Sequence, residues 1–372
     1  MPTADALPLS GLKVVAIEQA VAAPFATARL ADAGAEVVKI ERPEGDFARG
    51  YDDVAAGQSS YFVWLNRGKR SVTLDLTSDA GKAELERLLG EADVLVQNLK
   101  RGALARLGFG AERLARDFPR LVVCSISGYG ETGPMADRKA YDLLIQAESG
   151  LCSITGGPSE PARVGISIVD IATGSTAYGA ILEALIRRGV TGRGANISVS
   201  MFDVMADWLT VPLLNHEGGR TPKRVGLAHP SIAPYGVFEA KDGDLILISV
   251  QNDREWRALC REFLGDARLA DDPRFATNVA RVANRQETDA AVAAGFARLS
   301  GAGAVEALLR ADVALASVSD MAKLAVHPHL RRITVDTPNG PVSFPAPAPI
   351  FDGEERSYGP VPALNPLDAG NG

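Results

Sequence analysis

Short runs of β-branched and aliphatic residues alternate with helix-spaced stretches through the first two hundred positions. Lys13-Val14-Val15-Ala16-Ile17-Glu18 reads as a first strand and Glu36-Val37-Val38-Lys39-Ile40-Glu41 as a second. Pro24 to Ala33 between them reads as a short helix of small residues, so the chain opens with a β-α-β unit. Such a unit crosses over in a right-handed sense and builds a parallel sheet. Ser71–Leu76, Asp93–Asn98 and Leu121–Ser127 continue the strands, with helices expected over Asp79–Leu89 and Ala111–Asp117. The alternation predicts an α/β, Rossmann-like domain of three layers.

The texture changes after Met201. Tyr235–Ala240 and Leu245–Val250 flank Lys241-Asp242-Gly243-Asp244, a hairpin signal. Helical patterns follow at Asp253–Leu264, Glu287–Leu299 and Ala302–Ala311. The reading is a large domain over 1–215 and a small α+β domain over 225–325, with linkers near 216–224 and 326–334. From Thr334 the tail carries Pro338, Pro341, Pro345, Pro347 and Pro349, which predicts extended chain wrapping a surface, not helix.

One further pattern carries candidate chemistry. In Val164-Gly165-Ile166-Ser167-Ile168-Val169-Asp170-Ile171-Ala172-Thr173-Gly174 a β-branched run ends in one acid, and small residues then open a helix to about Arg188. That predicts a carboxylate at a strand-to-helix joint, on the carboxyl edge of a sheet where a nucleophile can be held. The same position suits an N-cap, whose oxygen satisfies free helix amides. From this segment alone both readings of Asp170 stand.

The remaining properties narrow the field. A length of 372 residues, 46% of them hydrophobic, is enough for two or three domains with real cores. A net charge of −7 argues against nucleic acid or an anionic membrane as partner. Cys124, Cys152 and Cys260 are too far apart to read as a disulfide framework or a zinc site, and no apolar run reaches membrane-spanning length. Met1 to Pro8 has no leader pattern, so a cytoplasmic enzyme is expected. The first strand is followed by Gln19-Ala20-Val21-Ala22-Ala23-Pro24, with no G-x-G-x-x-G and no P-loop there, and no G-x-S-x-G or H-E-x-x-H occurs, so nicotinamide or flavin binding is not assumed and the common hydrolase signatures are removed. His327-Pro328-His329 lacks accompanying acids or cysteines and reads as surface, so no metal is expected.

Basic residues fall near predicted strand ends: Lys39 and Arg42, then Arg67, Lys69 and Arg70, then Lys100, Arg101 and Arg106, then Arg138 and Lys139. Loops that follow parallel strands share one edge, so several of these can converge on a multi-phosphate ligand. Scattered solvated charge gives the same composition, and Arg67–Arg70 precedes its strand, which leaves its edge open.

Several motifs together resemble the class III coenzyme A transferases (CaiB/BaiF type). They are Ala22-Ala23-Pro24, Gly34-Ala35-Glu36-Val37-Val38-Lys39-Ile40-Glu41-Arg42-Pro43, Asn66-Arg67-Gly68-Lys69-Arg70-Ser71, Gly128-Tyr129-Gly130 with Gly133-Pro134, Tyr141-Asp142, and Asp170 in its small-residue setting. The resemblance implies a Rossmann-like large domain completed by 335–372, a small domain on two linkers, and an interlocked homodimer. It implies no tightly bound cofactor, with coenzyme A thioesters and carboxylic acids as substrates. Asp170 then matches the catalytic aspartate, which passes through a mixed anhydride and an enzyme–CoA thioester. Arg42, Asn66, Lys69, Asn98, Leu99, Arg106, Arg138, Lys139 and Tyr141 match CoA-contact positions. Asp142 matches an acidic active-site position, with positioning or structural roles both open.

Two departures bear on substrate. Val21 stands where formyl-CoA transferases carry Gln, and Gly226-Leu227-Ala228-His229-Pro230-Ser231 replaces their glycine-run lid, which argues against formyl and oxalyl chemistry. The segments Gly45–Tyr51 and Ser59–Asn66 are similar to relatives acting on C4–C5 dicarboxylates. Succinyl-CoA is therefore the expected donor, with malate, citramalate, itaconate or mesaconate as acceptor. Arg163, Arg224 and His229 are candidates for a distal carboxylate. Intramolecular CoA transfer needs the same aspartate and stays open. The 2-methylacyl-CoA racemases place His where Tyr141 stands, and a tyrosine is a poor base near neutral pH.

Overall fold

Val14 to Ile17 are buried along their whole length, so this strand is covered on both faces, as a central parallel strand must be. The computed structural model describes residues 7–353 and 355–364. Most of the Met1 to Pro8 stretch and the end of the Pro-rich tail lie outside the described residues. Clustering of the described chain gives two units. The larger takes in residues up to Leu151, Arg163–Leu214 and those from Arg331; the smaller takes in Cys152–Ala162 and Asn215–Leu330.

In the larger unit β1 (Lys13–Ile17), α1 (Ala22–Asp32), β2 (Glu36–Glu41), α2 (Ser60–Asn66), β3 (Lys69–Thr73), α3 (Asp79–Glu91) and β4 (Val94–Gln97) come first. They are followed by α4 (Ala103–Arg106), α5 (Ala111–Asp117), β5 (Val122–Ser127) and α6 (Asp142–Glu148). Next come α7 (Leu151–Ile154), the long α8 (Ile168–Thr191), β6 (Ala195–Ser200), α9 (Met201–Trp208) and α10 (Thr210–Glu217). Most of α7 and the end of α10 fall in the smaller unit. The six strands pair in parallel in the order β3-β2-β1-β4-β5-β6. Strand order therefore reverses between β1 and β4, and their following loops part to leave a crevice at the carboxyl edge.

Two sequence expectations shift here. The third strand begins at Lys69 rather than Ser71, taking two basic residues into the ladder. The sixth strand, absent from the sequence reading, is an edge strand whose Asn196 and Ser198 alternate with apolar positions instead of forming a run.

α8 presents Val169, Ala172, Ala177, Ile181 and Ala184 to the core shared with Val14, Ala16, Val96 and Cys124. It packs on α1 through small residues. A Cβ at Gly174 would stand 2.5 Å from the Ala22 carbonyl oxygen and 2.9 Å from Phe25 Cβ. Gly174→Ala is therefore expected to push α1 and α8 apart and to cost about 1–3 kcal/mol, read as a lower Tm.

The Pro-rich tail is extended, and part of it forms the antiparallel hairpin β10 (Arg332–Val335) and β11 (Val342–Pro345). Val335 and Val361 pack with Ala55, Phe62 and Val63, and Gly68 N–H donates to the Pro360 carbonyl at 2.8 Å.

In the smaller unit β7 (Tyr235–Glu239), β8 (Leu245–Ser249) and β9 (Ala314–Ser317) form an antiparallel sheet. α11 (Asp253–Ala258) runs on into a π-helical segment, Leu259–Leu264, and α12 (Asn278–Ala283), α13 (Arg285–Phe296), α14 (Gly301–Arg310) and α15 (Met321–Ala325) follow. Phe238, Ile246 and Ile248 pack against Trp256, Phe263, Phe296 and Leu308. Among the described residues no single helix is long and apolar enough to cross a membrane.

Candidate active site

Val164 to Ser167 is not a strand; the chain there is irregular, and α8 starts at Ile168. Asp170 is thus the third residue of a helix, past the N-cap position held by Ser167, whose side chain makes no capping bond. The cap comes from elsewhere. Asp142, the first residue of α6, accepts the Val169 N–H at 2.8 Å and the Asp170 N–H at 3.2 Å on Oδ2. The carboxylate of Asp170 is released from capping, and it makes no hydrogen bond or ion pair among the described residues. Burial, then the charge of Asp142, pushes its carboxyl up to about 7.

Around this acid the walls are apolar and aromatic. Ile171, like Tyr61 and Trp64, packs against the cluster of Val21, Phe25 and Leu65, so Val21 is a buried wall residue. The Tyr51 phenol is pushed up to about 12, by burial first and then by the charges of Asp46 and Asp170. It stays protonated and is a hydrogen-bond donor on this side, one that the sequence reading did not single out.

A groove of about 500 Å³ opens at the crevice beyond β1–β4. Leu74, Leu76, Leu99 and Leu107 give it apolar walls, and Arg42 and Arg106 stand on it together with Glu44 and Asp75. Three more acids reach it, Glu41 at the end of β2 and Glu18 and Asp46 from the segments that follow β1 and β2. Each of these is compensated from within. Glu18 meets Lys69 at 2.7 Å and Lys39 at 3.5 Å, Asp46 meets Lys39 at 2.8 Å, and Glu41 meets Arg49 at 2.6 Å. Burial opposes the charge on Glu18, but the two lysines outweigh it and hold the carboxyl below its usual range. Burial pulls Lys69 down to about 8 against the pull of Glu18.

The network also shapes the loop beside Asp170. Asp46 Oδ1 accepts the Ala20 N–H at 3.2 Å, and Ala20 has φ +62°, a left-handed conformation that costs a non-glycine residue about 1–2 kcal/mol.

The expected CoA contacts divide. Arg42, Leu99 and Arg106 line the groove. Asn98 is beside it, and its amide exchanges hydrogen bonds with Gln19 N–H and C=O, both at 2.9 Å, tying the loops after β1 and β4 together. Lys69 and Asn66 are not at the groove. The three donors of the Lys69 ammonium are taken by Glu18, the Pro24 carbonyl and Asn66 Oδ1 at 2.7, 3.1 and 3.2 Å. Asn66 in turn donates to the Phe62 carbonyl and is fully buried, so Lys69 has no donor left for a phosphate and Asn66 is not exposed to one. Arg67 is likewise held by Asp32. Arg138 is exposed near Glu148 at 3.7 Å, Lys139 is exposed, and Tyr141 is 59% exposed. In the smaller unit His229 stacks on Tyr235 with centroids 5.2 Å apart, and Arg224 donates to the carbonyls of Gly157, Ser153 and Pro158. Among the described residues no group of three or more His, Cys, Asp or Glu is placed to hold a metal ion.

The profile of CoA-transferase family III matches residues 9–366, nearly the whole chain. This chain belongs to CoA-transferase family III. It is an enzyme, a CoA-transferase, acting on CoA thioesters and carboxylic acids. It is 43% identical over 290 residues to a succinate–glutarate CoA-transferase of Agrobacterium fabrum, covering 75% of this chain and 72% of that one. It is 38% identical over 342 residues to an acetyl-CoA:oxalate CoA-transferase of Acetobacter aceti, covering 91% and 87%. A crystal structure of a CaiB/BaiF family protein from Brucella suis superposes with a TM-score of 0.81 at 36% identity, covering 97% of each chain. The class III fold expected from the motifs is the one found.

Within this CoA-transferase the sequence reading missed the residues that serve the site from behind. Glu18, Asp46 and Gln146 are buried polar groups inside apolar surroundings. A buried polar residue is retained only when its bonds are met, and that is the signal that marks them once their burial is known.

Proposed function

We propose that this CoA-transferase moves CoA from succinyl-CoA to a C4–C5 dicarboxylic acid, with Asp170 as the acyl carrier. The observation that carries this reading is the unpaired carboxylate of Asp170, set in an apolar wall while Asp142 takes its helix amides. Asp170 attacks the donor thioester, forming a mixed anhydride and releasing the CoA thiolate. The thiolate attacks the aspartyl carbonyl, so the donor acid departs and an enzyme–CoA thioester remains. The acceptor carboxylate attacks that thioester, releasing the thiolate. The thiolate then takes the acceptor acyl group and restores the aspartate. Apolar neighbours keep water from the anhydride.

In this reading Arg42, Leu99 and Arg106 bind the nucleotide end of CoA, with Arg138, Lys139 and Tyr141 contributing from the segment before α6. Arg163, in the larger unit, is proposed for the distal carboxylate. The enzyme is proposed to work as a homodimer, a reading supported by exposed Ile186, Val190, Trp208, Val211, Leu213 and Leu214, and sedimentation checks it. The large domain is proposed to span 1–215 with 335–372 and the small domain 225–325.

The test is an acceptor panel with succinyl-CoA. Glutarate, malate, citramalate, itaconate and mesaconate are expected to turn over faster than oxalate or any monocarboxylate. Faster transfer to oxalate or to a monocarboxylate would overturn the C4–C5 dicarboxylate assignment.

A further inference from the structure

A single buried side chain governs the acid that caps α8. Val164 N–H donates to Gln146 Oε1 at 2.9 Å, and Gln146 Nε2 donates to Asp142 Oδ1 at 2.6 Å. Asp142 Oδ2 then accepts the amides of Val169 and Asp170. Gln146 is 0% exposed, so water does not compete for these bonds. Backbone amides only donate, and an ionised carboxylate only accepts. Both ends of the relay therefore have fixed polarity, and one orientation of the Gln146 amide satisfies them.

We infer that Gln146 is a positioning residue, which keeps residue 142 as an oriented acceptor across the start of α8 and thereby sets the place of Asp170. The inference deepens the reading of Asp170 as acyl carrier and rests on it. Its physical content is hydrogen-bond direction. Asparagine at 142 must aim its NH2 either at Gln146 Nε2 or at the α8 amides, and each choice sets donor against donor. Glutamate at 146 still accepts from Val164 but sets acceptor against acceptor at Asp142 Oδ1. Combining the two reverses the relay. The carboxylate at 146 then accepts from both the Val164 N–H and the amide NH2 at 142, while the amide oxygen at 142 accepts the two α8 amides. Every donor again meets an acceptor, because polarity and not mere volume is what the site requires.

The experiment compares Asp142→Asn, Gln146→Glu, Gln146→Leu and the double variant D142N/Q146E for Tm and for kcat and KM with succinyl-CoA. Each single variant is expected to melt below wild type and to lose about 10- to 100-fold in kcat with KM little changed, the signature of a displaced reacting group. The double variant is expected to recover the wild-type Tm and to come within about 10-fold of its kcat. A double variant no more stable than its worse parent overturns the relay polarity. A double variant that is stable but as slow as its slower parent overturns the positioning role, as does Gln146→Leu at full kcat. Asp170→Asn is run alongside. Activity surviving in that variant means that the acyl-carrier reading has failed, while the Tm pattern still decides the relay.

Discussion

Asp170→Asn is expected to abolish CoA transfer, with kcat down by at least about 10³-fold, while CoA still binds and the protein becomes more stable. An amide cannot form the anhydride or the thioester, so no slower version of the same route remains. The stability gain follows from the cost of holding this carboxylate charged. Its folded pKa, about 7, lies above its ordinary value of 3.8. Between those values the folded protein binds more protons than the unfolded chain, so stability falls as pH rises through that window and levels off above 7. Solvent reaches part of the group, which places the penalty at roughly 2–4 kcal/mol at pH 8. Urea unfolding at pH 5 and pH 8 checks it: wild type loses stability between the two and the variant does not. For catalysis, the same environment predicts that kcat/KM rises with pH through about 7 as the nucleophile ionises, with Tyr51 still protonated there.

The second large effect lies beneath the groove. Glu18→Gln keeps the shape of the side chain but leaves Lys69 and Lys39 facing a neutral group in the interior. Removing one partner of a buried pair costs about 3–5 kcal/mol, because the other charge stays desolvated and uncompensated. The double variant E18Q/K69M is expected to be more stable than E18Q alone, since it removes the stranded charge as well. Loss of activity should accompany the single variant. Lys39 also holds Asp46, and Asp46 holds the strained Ala20 next to Val21 in the wall beside Asp170. Denaturant unfolding of wild type, E18Q, K69M and the double variant gives the coupling energy, and equal stability of E18Q and wild type would remove the network from this account.

Central strands were legible because burial on both faces writes them as unbroken apolar runs, as in Val94-Leu95-Val96. Two edge strands were not: β6 and β9 alternate small or polar residues with apolar ones and look like loop. The charged start of β3 hid its first residues, since Lys69 enters the ladder only because Glu18, 51 positions earlier, neutralises it. Asp170 was legible as an acid at the head of a helix. Its true setting was not, because the residue that caps that helix lies 28 positions earlier and leaves no local signature. Gln146 reads in sequence as an ordinary polar position on a helix, and only its complete burial shows otherwise. Of the CoA-contact positions that the family motifs implied, Arg42, Leu99 and Arg106 line the groove, whereas Lys69 and Asn66 are buried and bonded internally.

The most direct test of the central claim is peptide mass spectrometry of the protein mixed with succinyl-CoA and reduced with borohydride. Hydride converts an aspartyl thioester or anhydride to the alcohol, so residue 170 should appear as homoserine when acyl-CoA is present and as aspartate when it is absent. An unmodified Asp170 in protein shown separately to bind and turn over succinyl-CoA would contradict the account.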